Sequence, residues 1–100
     1  MAIQNRKDFK HIRVAEAVYR DTKLKASDKA VYTVLSLYAD RNTSECFPKK
    51  QTILELASVG DKSFRAAIIR LRERGYIEVE ERFVNNRQTS NVYRLLDVDN

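Results

Sequence analysis

The residues most able to do chemistry in this chain are arginines. Arg65, Arg70, Arg72 and Arg74 fall within VGDKSFRAAIIRLRERGY, residues 59–76, together with Lys62 and Ser63. A guanidinium is a rigid fork of N–H donors that matches phosphate oxygens and the O6/N7 edge of guanine, while ammonium and hydroxyl groups reach either. The chemistry open to this stretch is therefore recognition of anions and base edges. Bond-breaking chemistry has no comparable residues. His11 and Cys46 are the single histidine and cysteine, and a metal site needs three or four ligands. A buried Cys46 and a structural His11 are the expectation. The chain shows no nucleophile–base set, paired-carboxylate motif or glycine-rich phosphate loop, so we expect no enzyme, cofactor or small-molecule ligand.

Something must hold those arginines in place, and the glycines indicate what. Both glycines of the chain flank this segment, at Gly60 and Gly75. At 100° per residue from Phe64, the apolar Ala67, Ile68 and Leu71 lie within about 60° of it, which is the core stripe of a helix. Gly75 stands where a left-handed C-cap belongs, and Gly60 lies in the turn before the helix. The spacing predicts a helix over 61–74, with Arg65 leaving it about 100° from the centre of the core stripe.

The rest of the chain supplies the support. Residues 1–8 are polar and read as a flexible segment, and one domain spans 9–98. An extended piece is expected at 9–14 and a short helix at 15–21. A longer helix follows at 27–40, with Ser27 as its N-cap, Asp28 in its first turn, and Val31, Val34, Leu35 and Tyr38 on its inner face. Pro48 fixes ECFPK as extended. A helix over 50–58 is expected to bury Ile53, Leu56 and Ala57. After Gly75 the apolar period changes to two: YIEVEERF (76–83) places Ile77, Val79 and Phe83 on one face, with Glu81 as an exception suggestive of a bulge. NVYRLLDV (91–98) returns, and Asn85-Asn86 tolerates the positive φ of a tight hairpin turn. The fold class is α+β, mainly helical with a β-hairpin wing: a winged helix-turn-helix.

Bulk properties agree with an anionic partner. The 100 residues carry a net charge of +5, with 33% charged and 43% hydrophobic residues. No run approaches the ~20 apolar residues of a membrane span, the first residues lack a signal peptide's apolar core, and one cysteine suits a reducing cytoplasm.

TILELASVGDKSFRAAIIRLRERGYIEVE resembles the helix-turn-helix core of winged-helix DNA-binding domains, through Thr52, Ile53, Leu56, Ala57, Val59, Leu71, Gly75 and Ile77. The preceding LKASDKAVYTVLSLYADRNTSECFPKKQTI is similar to a subgroup common in plasmid and phage replication-initiation proteins. Two positions depart from the pattern: Ser58 replaces the turn glycine, and Gly60 replaces the serine N-cap. Glycine caps nearly as well, within a few tenths of a kcal/mol. The resemblance implies double-stranded DNA as partner, with helix 61–74 in the major groove.

On that reading Lys62, Ser63, Arg65, Ala66, Ile69 and Arg70 form the base-reading face and its flanks. Lys49 and Lys50 meet phosphate at the start of the preceding helix, and Arg82, Asn86 and Arg87 act at the wing. Glu78, Glu80 and Glu81 confine the wing's approach to its tip. A basic N-terminal arm (Arg6, Lys7, Lys10, Arg13) is a further candidate contact. The exposed isoleucine and the acidic wing keep a rival open, a protein-interaction module in a replication or DNA-transfer complex; a transcriptional regulator is a third possibility. A homodimer on DNA is compatible with Ile3, Phe9, Val18 and Tyr19 packing on a partner, or these side chains cover the chain's own core.

Overall fold

The computed structural model describes residues 14–96. The expected loose segment 1–8, most of the extended piece 9–14, the basic arm and His11 lie outside the described residues, as do positions 97 and 98 of the last strand. Nine elements follow in order: α1 (Glu16–Arg20), α2 (Ala26–Tyr38), β1 (Glu45–Cys46), α3 (Lys50–Ala57), α4 (Asp61–Glu73), β2 (Ile77–Glu80), β3 (Phe83–Val84), β4 (Arg87–Gln88) and β5 (Val92–Leu95).

Helix α2 is the central support. Its Val31, Val34 and Leu35 are buried, and it packs on both α3 and α4. Ser27 is not its N-cap. The helix starts at Ala26, which puts Asp28 at the third helical position. The Asp28 carboxylate reaches back to accept the Lys25 backbone N–H at 2.8 Å, satisfying a donor that the first turn leaves orphaned. Tyr38 is in phase with the inner face but is the last residue of the helix and is 45% exposed.

Two left-handed residues end the next two helices. Ser58, with φ 58° and ψ 46°, closes α3: its own N–H donates to Glu55 and that of Val59 to Leu54. Gly75, at φ 81°, closes α4 in the same way. Gly75 N–H donates to Arg72 and Tyr76 N–H to Leu71, the pair of bonds of a Schellman cap. Gly60 adopts ordinary extended backbone, φ −87° and ψ 175°, as the N-cap of α4. The conformational demand of the turn between α3 and α4 falls on the serine.

The core joins Val18, Leu24, Val31, Leu35, Ile53, Phe64, Ala67, Leu71, Ile77 and Tyr93. Fully burying a leucine or isoleucine such as Leu35, Ile53 or Leu71 is worth about 1.5–3 kcal/mol. The apolar stripe of α3 runs through Ile53, Leu54 and Ala57. Leu56 sits about 110° from the centre of that stripe and is 53% exposed, so the expectation that it is buried does not hold.

Strands β1, β5 and β2 form one antiparallel sheet in that order, with Glu45 opposite Arg94 and Val79 opposite Tyr93. Ile77 and Tyr93 point inward, and Glu78, Glu80 and Arg94 alternate with the inward positions. Beyond Glu80 the ladder breaks. Residues 81–82 face residues 89–91, one more on the returning side, which is the count of a bulge. The hairpin then re-forms as β3 and β4, closed by Asn85 (φ 54°) and Asn86 (φ 64°), the two positive values of a type I′ turn. Beyond the break, Phe83 belongs to the separate two-stranded β3–β4 sheet and not to the sheet that carries Ile77 and Val79 inward; it is 61% exposed, correcting its expected place in the core.

Candidate nucleic-acid interface

Helix α4 buries Phe64, Ala67 and Leu71 and turns Lys62, Ser63, Arg65 and Ile69 to solvent, with Ala66 half-buried. Neither α3 nor α4 has a side-chain cap at its N-terminus, so both present first-turn N–H groups.

Asp61, the first residue of α4, links two of the candidate cations. Lys50 Nζ donates to its Oδ1 at 2.6 Å, and Arg65 donates to its Oδ2 through Nε, also at 2.6 Å, and through Nη2. The hydrogen bond from Lys50, then that from Arg65, holds the Asp61 carboxyl below the usual carboxylate range. The start of α3 is thereby tied to the start of α4. In the break between β2 and β3 the Arg82 guanidinium lies 5.2 Å from the centre of the Phe47 ring, within cation–π range, and Phe47 leads directly into Pro48, Lys49 and Lys50. Lys50 and Arg65 are thus joined through Asp61, with Lys49 and Lys62 exposed next to them in sequence, and Arg82 stands against Phe47, two residues before Lys49. Asn86 and Arg87 are exposed at the wing tip.

Arg70 is placed elsewhere. Its guanidinium turns inward to the fully buried carboxylate of Asp28, which leaves its fork occupied within the fold rather than offered on the exposed face of α4. Arg74, one turn further on, does the same with Asp21. Its Nε donates to Asp21 Oδ2 at 2.7 Å, and the Tyr76 hydroxyl donates to the same oxygen at 2.8 Å. The remaining oxygen, Oδ1, accepts the Lys23 backbone N–H at 2.9 Å. These bonds, that from Arg74 foremost, lower the Asp21 carboxyl to about 2 against burial, which acts the other way. The arginine-rich segment therefore splits in two: Arg65 and Arg72 are solvent-facing, and Arg70 and Arg74 bolt the helix to the α1–α2 region.

Sequence reasoning did not find these acid partners. Asp61 carried a local signal, the four-residue spacing to Arg65 that makes an ion pair on one helix face. Asp21 and Asp28 carried none, because their partners lie 53 and 42 residues away.

The sheet's outward side is acidic. Arg94 donates to Glu45 at 2.6 Å and to Glu78 at 3.0 Å, with Glu80 at 3.8 Å. Three carboxylates against one guanidinium leave that surface unsuited to a phosphate backbone. Cys46 is buried, and burial pushes its thiol up to about 11. Among the described residues no cluster of histidine, cysteine or acidic side chains could hold a metal ion, and no helix is long and apolar enough to cross a membrane.

Two helices, a short strand, a third helix joined by a tight turn to an arginine-bearing fourth, and a hairpin beyond it define a winged helix-turn-helix. Residues 22–77 match the family model described as a helix-turn-helix domain, and the chain belongs to that family. Searches of curated proteins and of solved structures each returned no match. Membership points to DNA binding. The matched span ends at the root of the wing.

Proposed function

We propose that this domain binds double-stranded DNA sequence-specifically, with α4 in the major groove and the wing tip at the backbone or minor groove. The observation that carries the reading is the pairing of Lys50 and Arg65 through Asp61 at the uncapped starts of α3 and α4, with exposed Lys49 and Lys62 beside them in sequence. Such an array supplies phosphate donors around a helix whose first turns face outward with Lys62, Ser63 and Arg65 available to base edges. No catalytic activity belongs to this reading. Its biological setting is origin or operator binding by a plasmid- or phage-type replication initiator, on the resemblance of residues 24–53; a transcriptional regulator would use the same surface.

A second reading, a protein-interaction module in a replication or DNA-transfer complex, draws on the exposed Ile69, Leu56, Phe47 and Phe83 and on the acidic sheet surface. Equilibrium binding to duplex DNA across a salt series separates the two. A DNA binder loses affinity with a log–log slope of about −0.9 per neutralised phosphate. Absence of duplex binding even at low salt would transfer support to the interaction module.

A further inference from the structure

We propose that Asp61 is a specificity-setting residue that positions Arg65 for base reading and shields two cations from indiscriminate phosphate contact. The inference rests on the DNA-binding reading above. It comes from which edge of the guanidinium is occupied. Nε and Nη2 of Arg65 both donate to Asp61 Oδ2, so the side edge of the fork is held. The Nη1 amino group and the outward N–H of Nη2 form the end edge, whose parallel donors suit the O6 and N7 of a guanine. An unpartnered arginine would spread over many rotamers and lose that freedom on binding. One already fixed at its side edge loses less when its end edge meets a base.

The same carboxylate has a second effect, on phosphates. Asp61 takes a hydrogen bond from Lys50 at 2.6 Å as well, so one acid offsets two of the cations nearest the helix starts. A DNA strand approaching without a matching base meets a carboxylate at the mouth of α4, whereas a matching guanine meets an aligned pair of donors. Asp61 thereby shifts affinity from backbone to base. A merely structural Asp61, favoured in a first helical turn by the helix dipole, would alter thermal stability and leave base preference untouched.

The test compares wild type with Asp61→Asn, which keeps the side chain's shape and removes its charge. The probes are a duplex enriched from a randomised pool by the wild-type domain, its single-base-pair variants, and a shuffled duplex of equal composition, each titrated across a salt series by fluorescence anisotropy. We expect Asp61→Asn to bind the shuffled duplex more tightly, with a salt slope steeper by about one to two units. Its preference for the enriched duplex should fall about tenfold, with discrimination relaxed at one guanine. Arg65→Ala should relax the same position, and the double variant should lose nothing more there. If Asp61→Asn keeps both the enriched-to-shuffled ratio and every single-base preference, or changes the melting temperature alone, the proposal is overturned while DNA binding stands. A wild-type domain that binds neither duplex at low salt overturns the DNA reading, and this proposal with it.

Discussion

Arg70 closes its guanidinium on the buried carboxylate of Asp28, Nε to Oδ2 at 2.6 Å and Nη2 to Oδ1 at 2.9 Å. The pair spans helices α4 and α2, and Asp28 simultaneously caps the start of α2 through Lys25. One carboxylate thus fixes both where α2 begins and how α4 lies across it. Removing one partner of a buried pair strands the other charge, a cost that typically reaches about 3–5 kcal/mol. Because Arg70 is partly exposed and Asp28 keeps its bond to Lys25, we expect Arg70→Ala to destabilise the domain by about 2–3 kcal/mol. That should appear in urea unfolding as a lower midpoint, with duplex affinity of the folded fraction little changed. Loss of affinity without loss of stability would return Arg70 to the reading face.

Arg87 is expected to behave in the opposite manner. It stands exposed at the wing tip beside the Asn85–Asn86 turn, with no acid partner among the described residues. Arg87→Ala should leave unfolding within about 0.5 kcal/mol of wild type. It should weaken binding to all duplexes alike and reduce the salt slope by about one unit. An unchanged slope would mean the wing tip makes no phosphate contact.

Ser58 bears the left-handed conformation between α3 and α4, φ 58°, where a side chain costs about 1 kcal/mol relative to glycine. Its side chain is exposed. Ser58→Gly should therefore stabilise the domain by about 0.5–1 kcal/mol, a rise of a few degrees in melting temperature for a chain of this size. A melting temperature equal to or below wild type would show that the strain is relieved by other means.

Acid should loosen the junction of α1 with α4. The folded Asp21 carboxyl titrates at about 2, against an ordinary value of 3.8, chiefly because Arg74 donates to it. A depressed folded value means the unfolded chain binds the proton more readily. The contribution of Asp21 is thus complete above about pH 4 and is lost as pH falls toward 2. Asp21→Asn should flatten that part of the acid limb in unfolding experiments followed by circular dichroism. An acid limb identical to wild type would place the pH-sensitive group elsewhere.

Local regularity explains what could be read from residue order alone. The helix over 61–74 was legible because Phe64, Ala67, Ile68 and Leu71 share one face and Gly75 can take the positive φ its cap requires. The wing was legible because the apolar period switches to two after Gly75 and Asn85-Asn86 suits a type I′ turn. Each of these signals lies within a few residues of the feature it specifies. Tertiary packing decided the rest. Tyr38 has the phase of a core residue but stands on the last turn of α2, and Phe83 has the parity of one but lies past the break, in the small sheet that does not pack on the core; both are exposed. The arginines divide for the same reason. Arg65 and Arg70 are chemically equal and lie on one helix. Only the packing of α2 against α4 brings Asp28 to Arg70 from 42 residues away, leaving Arg65 at the exposed end with Asp61, its neighbour one turn back.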